Sequence, residues 1–211
     1  MTEQILMAGP AGQMELLVDY PTQAATAFAI VCHPHPLIGG TPQHKVPTLL
    51  MQLLVEQGCI VYRPYFRGLG HSQGVHDEGF GETEDILYLI QQLRLKHPTL
   101  QFYAAGFSFG AHVIAKCYAA LSLEQRPKQL ILCGLPAGEV AGLRRYDTPI
   151  IDGDLLLIHG EKDQITPLQD VFDWAQTKRH PVMVLPGANH YFTGYLKALG
   201  LTIRRYLKIN H

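Results

Sequence analysis

Apolar residues along this chain fall into two alternating rhythms. Short, nearly continuous apolar runs at 14–20, 28–33, 59–64, 101–107, 129–134, 155–160 and 182–185 predict seven strands. Several of them are apolar at successive positions, as strands are in a sheet covered on both faces. Between the runs the spacing changes to that of a helix. Val46, Leu49, Leu50, Leu53 and Leu54 recur at helical intervals and stop at Gly58, and Ile86, Leu89, Ile90 and Leu93 do so before Pro98. Val113, Ile114, Cys117 and Leu121 form a third such stripe, and Leu168, Val171, Phe172 and Ala175 a fourth, after Pro167. Leu196, Leu199, Ile203 and Leu207 form the last. Strands alternating with helices predict an α/β chain: a mostly parallel, doubly wound sheet with helices on both faces, in a single domain over residues 1–211. No internal repeat, low-complexity tract or linker interrupts it.

Composition narrows the partners. The 211 residues are 47% hydrophobic and 17% charged with a formal net charge of −1, enough apolar matter for a large core and no basic face for nucleic acid. Arg144-Arg145 and Arg204-Arg205 are isolated pairs and read as solvated surface. The first residues, Met1-Thr2-Glu3-Gln4, lack the basic and apolar segments of a secretion signal, and no apolar run reaches membrane-spanning length. The expectation is a cytoplasmic protein without membrane or nucleic-acid partners, a monomer or weak homodimer. Cys32, Cys59, Cys117 and Cys133 are widely spaced and form no Cys-x-x-Cys pair, so they read as reduced core thiols.

The chemistry begins at Ser108, one of three serines, centred in Gly106-Phe107-Ser108-Phe109-Gly110 between a predicted strand and a predicted helix. This is the pattern of a nucleophile elbow, in which the serine takes a strained backbone and the flanking glycines let strand and helix approach. In a doubly wound sheet, reactive groups belong in loops at the carboxyl ends of strands. Two later loops meet that condition, Glu161-Lys162-Asp163 and Pro186-Gly187-Ala188-Asn189-His190. Ser108, Asp163 and His190 thus appear in the chain order expected of an elbow serine completed by a later acid and histidine. A hydroxyl is a weak nucleophile at neutral pH, so His190 would take its proton and Asp163 would orient the imidazole. Each of the two later residues also has a plainer role open to it, Asp163 as a helix cap and His190 as a helix-start residue. Glu139 is the reserve acid.

An oxyanion needs donors. The backbone amide of Phe109 supplies one, and the loop from His33 to Thr41 the other; Pro34 and Pro36 have no N–H, which leaves Leu37, placed first, or His35. Only about twenty residues separate the runs ending at Gly134 and starting at Leu155, too few for a lid domain. An open cleft bordered by Leu37, Ile38, Phe107, Phe109, Ile165, Tyr191 and Phe192 is expected, suited to a short apolar acyl or aryl group.

Five segments in order carry a resemblance: His33-Pro34-His35-Pro36-Leu37 with Gly39-Gly40-Thr41, Arg63-Pro64 through Ser72, Gly106 to Gly110, His159-Gly160-Glu161-Lys162-Asp163, and Pro186-Gly187-Ala188 with His190. From about residue 14 onward the chain resembles the small, cap-less bacterial α/β-hydrolases related to dienelactone hydrolases and small carboxylesterases. The dienelactone hydrolases use a cysteine nucleophile, and Ser108 here implies serine esterase chemistry. The acidic and amide residues usual after the Gly-Gly-Thr turn are replaced by Pro42-Gln43-His44. The resemblance implies an acyl-enzyme route on small carboxylic esters without a cofactor. It also makes the Arg67–Ser72 turn structural, with Arg67 in scaffold hydrogen bonds, although Gly68, Gly70 and Gly74 come within one residue of a dinucleotide fingerprint.

Three other functions compete. A thioesterase or acyltransferase would use the same three residues. A metal-dependent hydrolase would draw on His33 and His35 with His44, His71 or His76 and leave the elbow unexplained, and a non-catalytic binding module would be expected to have lost one of the three groups.

Overall fold

In β3 (Ala27–Cys32) every residue is buried, and the two-residue strand period divides them between two cores. Phe28, Ile30 and Cys32 face one cluster, with Leu89 and Leu93 of α2 (Phe80–Lys96) and Val113 and Ile114 of α3 (Phe109–Ala120). Ala27, Ala29 and Val31 face the other, with Leu50 and Leu54 of α1 (Lys45–Glu56) and Leu199 and Ile203 of α5 (Leu196–Ile209). A continuous apolar run thus corresponds to a strand with helices on both sides. A computed structural model describes residues 2–140 and 144–209.

Among the described residues the main sheet has eight strands. In spatial order they are β1 (Thr2–Gly9), β2 (Gly12–Asp19), β4 (Cys59–Pro64), β3, β5 (Gln101–Phe107), β6 (Gln129–Cys133), β9 (Leu156–Gly160) and β10 (Val182–Leu185). β1 pairs antiparallel with β2 and β2 antiparallel with β4; all further pairs, from β4 through β3 to β10, are parallel. The chain runs outward from β3 to β4 on one side and then crosses to β5 on the other. That reversal opens a crevice between the carboxyl ends of β3 and β5, where sheets of this kind bind ligands. α4 (Leu168–Gln176) packs Val171, Trp174 and Ala175 onto the α2–α3 side.

All seven expected strands are present, and two features were not expected. β1 forms a hairpin with β2, turning between Gly9 and Gly12. It lies at the sheet edge with Leu6 exposed, and only Ile5 and Met7 reach the core, so it lacks a continuous apolar run. Between β6 and β9 a separate two-stranded sheet forms from β7 (Gly138–Val140) and β8 (Arg144–Tyr146). Among the described residues nothing else resembling a cap occupies that stretch. α2 begins earlier than the apolar stripe because Glu82, wholly buried, accepts the amides of Gly79 at 2.7 Å and Asp77 at 3.0 Å and so closes the helix start.

The four cysteines are buried and unpaired, as expected; burial pushes the thiols of Cys59 and Cys133 up to about 12. Among the described residues no helix is long and apolar enough to cross a membrane.

Candidate active site

Ser108 follows β5 and caps α3 with φ 55° and ψ −125°, a conformation that costs a non-glycine residue of order 1–3 kcal/mol. Its amide donates to the Cys133 carbonyl of β6 at 2.9 Å, which fixes the turn to the neighbouring strand. Both flanking glycines are required sterically. A Cβ on Gly106 would lie 2.5 Å from the Gly110 carbonyl oxygen, and one on Gly110 would run into the carbonyls of Cys32 and His33 at the end of β3. Strand, elbow and helix therefore meet at backbone contact distance, and the Ser108 hydroxyl stands at the crevice.

The loops after β9 and β10 bring the expected partners to it. His190 Nε2 lies 2.9 Å from Ser108 Oγ, and His190 Nδ1 lies 2.7 Å from Asp163 Oδ2. Asp163 is held from every side. Its Oδ1 accepts the amides of Ile165 and Thr166, each at 2.9 Å, and its Oδ2 accepts the Thr166 hydroxyl at 2.8 Å. Burial pushes its carboxyl up, but hydrogen bonds from His159 and His190, the His190 charge and the Thr166 amide outweigh that, leaving it below the usual carboxylate range. An ionised carboxylate can only accept, so the proton of a neutral His190 resides on Nδ1 and the lone pair of Nε2 faces the serine. The plainer role considered for Asp163 is present as well: the same carboxylate that orients His190 also closes the turn to Thr166.

Two residues of this network were not singled out by sequence reasoning. His159 Nε2 lies 2.8 Å from the Thr166 carbonyl and 3.3 Å from Asp163 Oδ2; both are acceptors, so this nitrogen carries the proton. Thr166 Oγ1 lies 3.2 Å from His190 Nδ1. The signal for His159 was its place at the head of the segment that ends in Asp163, whereas nothing in the sequence marks Thr166. Glu139, the reserve acid, is exposed on β7 and lines a different hollow with Arg145 and Asp170.

The loop after β3 corrects one expectation. The Leu37 amide, placed first as second oxyanion donor, is occupied: it donates to His35 Nδ1 at 3.3 Å, capping a 3-10 turn at Pro36–Ile38. Its side chain is 71% exposed and lines neither hollow at the serine. The amides of His35 and Phe109 have no hydrogen-bond partner among the described residues. The His35 carbonyl takes the amides of Ile38 and Gly40, and Gly40 approaches Pro34 so closely that a Cβ would overlap its carbonyl. Below the loop, His33 accepts the Phe66 amide on Nε2 at 3.1 Å, so its Nδ1 donates to the Pro34 carbonyl at 2.7 Å. Burial, chiefly, lowers this ring to about 3 and holds it neutral.

Ser108 borders two hollows. The first is nearly closed, with about 10 Å³ of interior room, and includes His35, Ile38, Phe109, Val140, Tyr146 and Ile165 in its lining. The second, of about 200 Å³, includes Pro34, Ile38, Gly40, His44, His190 and Tyr191. Ile38, Phe109, Ile165 and Tyr191 are thus at the cleft as expected. Phe107 and Phe192 are not: both are fully buried in the core on the α1–α5 side, where Phe107 supports the His190 ring from a centroid distance of 5.2 Å. His44 stacks on Phe107 at 5.4 Å and meets Tyr191 at a tilt, 5.8 Å away.

Of the histidines behind the metal alternative, His35 and His76 meet ring to ring at a centroid distance of 4.6 Å. His71 is exposed beside Glu15, His76 lies against Glu82, and among the described residues no group of three or more His, Cys, Asp or Glu side chains is gathered as a metal site. Arg67 pairs with Asp85 through two hydrogen bonds of 2.8 Å, the scaffold role expected of it.

No family model matches the chain. It is 35% identical to an α/β serine hydrolase homologue from Coxiella burnetii, with a TM-score of 0.85 and 98% of each chain covered. It is 32% identical to an α/β serine hydrolase without lid from Xanthomonas campestris, with a TM-score of 0.83, covering 99% of this chain and 93% of that one. An uncharacterized protein of Rickettsia prowazekii is 29% identical, over 97% of this chain and 88% of the relative. With its eight-stranded sheet, its elbow serine and no cap among the described residues, the chain belongs to the lidless α/β serine hydrolases.

Proposed function

We propose that the protein is a carboxylesterase that cleaves small esters through an acyl-enzyme on Ser108. The observation that carries this reading is the line Ser108 Oγ, His190, Asp163, at 2.9 Å and 2.7 Å, with the His190 lone pair directed at the hydroxyl. Ser108 Oγ attacks the ester carbonyl carbon as His190 Nε2 takes the hydroxyl proton, and Asp163 stabilises the resulting imidazolium. The negative charge collects on the former carbonyl oxygen, within reach of the amides of Phe109, at the start of α3, and His35. The tetrahedral intermediate then collapses, the bond to the alcohol oxygen breaks, and His190 returns its proton to that oxygen. Water, deprotonated by the same nitrogen, attacks the acyl carbon, and a second collapse releases the carboxylic acid and restores the Ser108 hydroxyl.

The modest size of the larger hollow, about 200 Å³, and the lack of Asp, Glu, Lys or Arg in either lining support a small, uncharged ester. The test is the intact mass of the protein after a fluorophosphonate probe, with heat-denatured protein and Ser108→Ala as controls. A single adduct on the native chain, absent from both controls, and turnover of p-nitrophenyl butyrate lost in Ser108→Ala are expected. A native protein that neither labels nor turns over esters would refute the proposal.

A further inference from the structure

His159, on β9, is wholly buried, and its Nδ1 has no hydrogen-bond partner among the described residues. An apolar residue would fill that strand position without stranding a polar atom, so an imidazole there points to a gain at its other nitrogen. Nε2 carries the proton and directs it at the loop that holds Asp163: the Thr166 carbonyl lies 2.8 Å away and Asp163 Oδ2 3.3 Å. His159 itself lines neither hollow at Ser108.

These contacts form a chain from the sheet to the site. His159 fixes the Thr166 carbonyl, Thr166 donates its hydroxyl to Asp163 Oδ2 at 2.8 Å and its amide to Oδ1 at 2.9 Å, and Oδ2 faces His190 Nδ1 at 2.7 Å. A carboxylate offers about four lone-pair positions. The amides of Ile165 and Thr166 use those of Oδ1, and the Thr166 hydroxyl and His190 use those of Oδ2. His159, farther from Oδ2 than either, ties the loop to β9 instead of displacing His190 from the acceptor. Asp163 then cannot turn about its terminal bond without breaking contacts at both oxygens, and the His190 ring keeps one orientation.

We infer that His159 and Thr166 are positioning residues: through them β9 sets the plane of the Asp163 carboxylate, and with it the aim of His190 Nε2 at Ser108. This rests on the serine-esterase reading, and extends it to two residues that stand behind Ser108, His190 and Asp163.

The experiment measures kcat and KM for p-nitrophenyl butyrate on the wild-type chain and on His159→Leu, His159→Gln, Thr166→Val and Thr166→Ser. Each kcat is divided by the fraction of chains that a fluorophosphonate labels at completion, so that loss of folded protein does not count as loss of rate. His159→Leu removes the donor, whereas His159→Gln keeps an N–H near the place of Nε2. His159→Leu should lower kcat per labelled site by about ten- to a hundredfold, the range reached when a reacting group is misplaced by about 1 Å, with KM unchanged. His159→Gln should recover most of that loss. Thr166→Val, close in shape to threonine, should lower kcat per labelled site in the same way and Thr166→Ser should restore it; this pair carries the test if His159→Leu misfolds. Wild-type kcat per labelled site in His159→Leu or in Thr166→Val, or His159→Leu and His159→Gln impaired alike, would assign the side chains to packing and overturn this inference alone. A wild type that neither labels nor turns over the ester would overturn the esterase reading and this inference together.

Discussion

Asp163 shows how much a single side chain can be asked to do. Its two oxygens receive two amides, a hydroxyl and the His190 imidazole, and so select the ring tautomer that leaves Nε2 free. Asp163→Asn presents an amide N–H or a weaker acceptor to that ring and favours the wrong tautomer. Its kcat on p-nitrophenyl butyrate should fall by about 10⁴ with the fold retained. The reverse trade is expected at Ser108, whose φ is positive. Ser108→Gly should abolish turnover yet raise the thermal midpoint, because release of strain of order 1–3 kcal/mol exceeds the roughly 0.5–1 kcal/mol of added chain entropy. Paired calorimetric scans would measure it. Ser108, Asp163 and His190, which the fold brings together, were legible because each follows a strand within three residues of a glycine. Phe107 was misjudged although the strand period contained the answer. In β5 it shares a face with Tyr103 and Ala105, the face covered by α1 and α5 rather than the one that opens on the cleft.

At the scale of elements, the elbow works only because β5 and α3 nearly touch. Gly110→Ala would place a methyl against the end of β3, and overpacking of this kind costs about 1–3 kcal/mol, or more when the obstacle is backbone. A lower urea midpoint, with weaker fluorophosphonate labelling of what remains folded, is the expected result. The strands that were legible are those buried on both faces, for which burial demands an apolar residue at successive positions. β1 has one wet face, and β7 and β8 are three residues each, so neither left a run long enough to read. The Leu37 amide was misassigned for a related reason: a side chain capping a single turn, here His35, is invisible to periodicity.

The whole molecule carries buried neutral imidazoles that couple its stability to pH. His33 and His112 are each lowered to about 3, by burial first, and His112 is further opposed by Lys116 and Arg144. In the unfolded chain an imidazole takes its proton near about 6.5. Between those values the unfolded chain binds more protons than the folded one, so stability is full above about pH 6.5 and declines as pH falls toward 3. The urea midpoint should be lower at pH 5 than at pH 7.5, and equal midpoints would contradict it.

Strands β7 and β8 stand outside the eight-stranded sheet, pair only with each other among the described residues and are tied to Glu78 by the Arg144 ion pair, yet they reach the hollow that Ser108 lines. Val140 and Tyr146 nevertheless belong to the α2–α3 core and line the hollow beside Ser108, so the wall of the site and the packing of the core are one surface, and a change at either residue is felt in both.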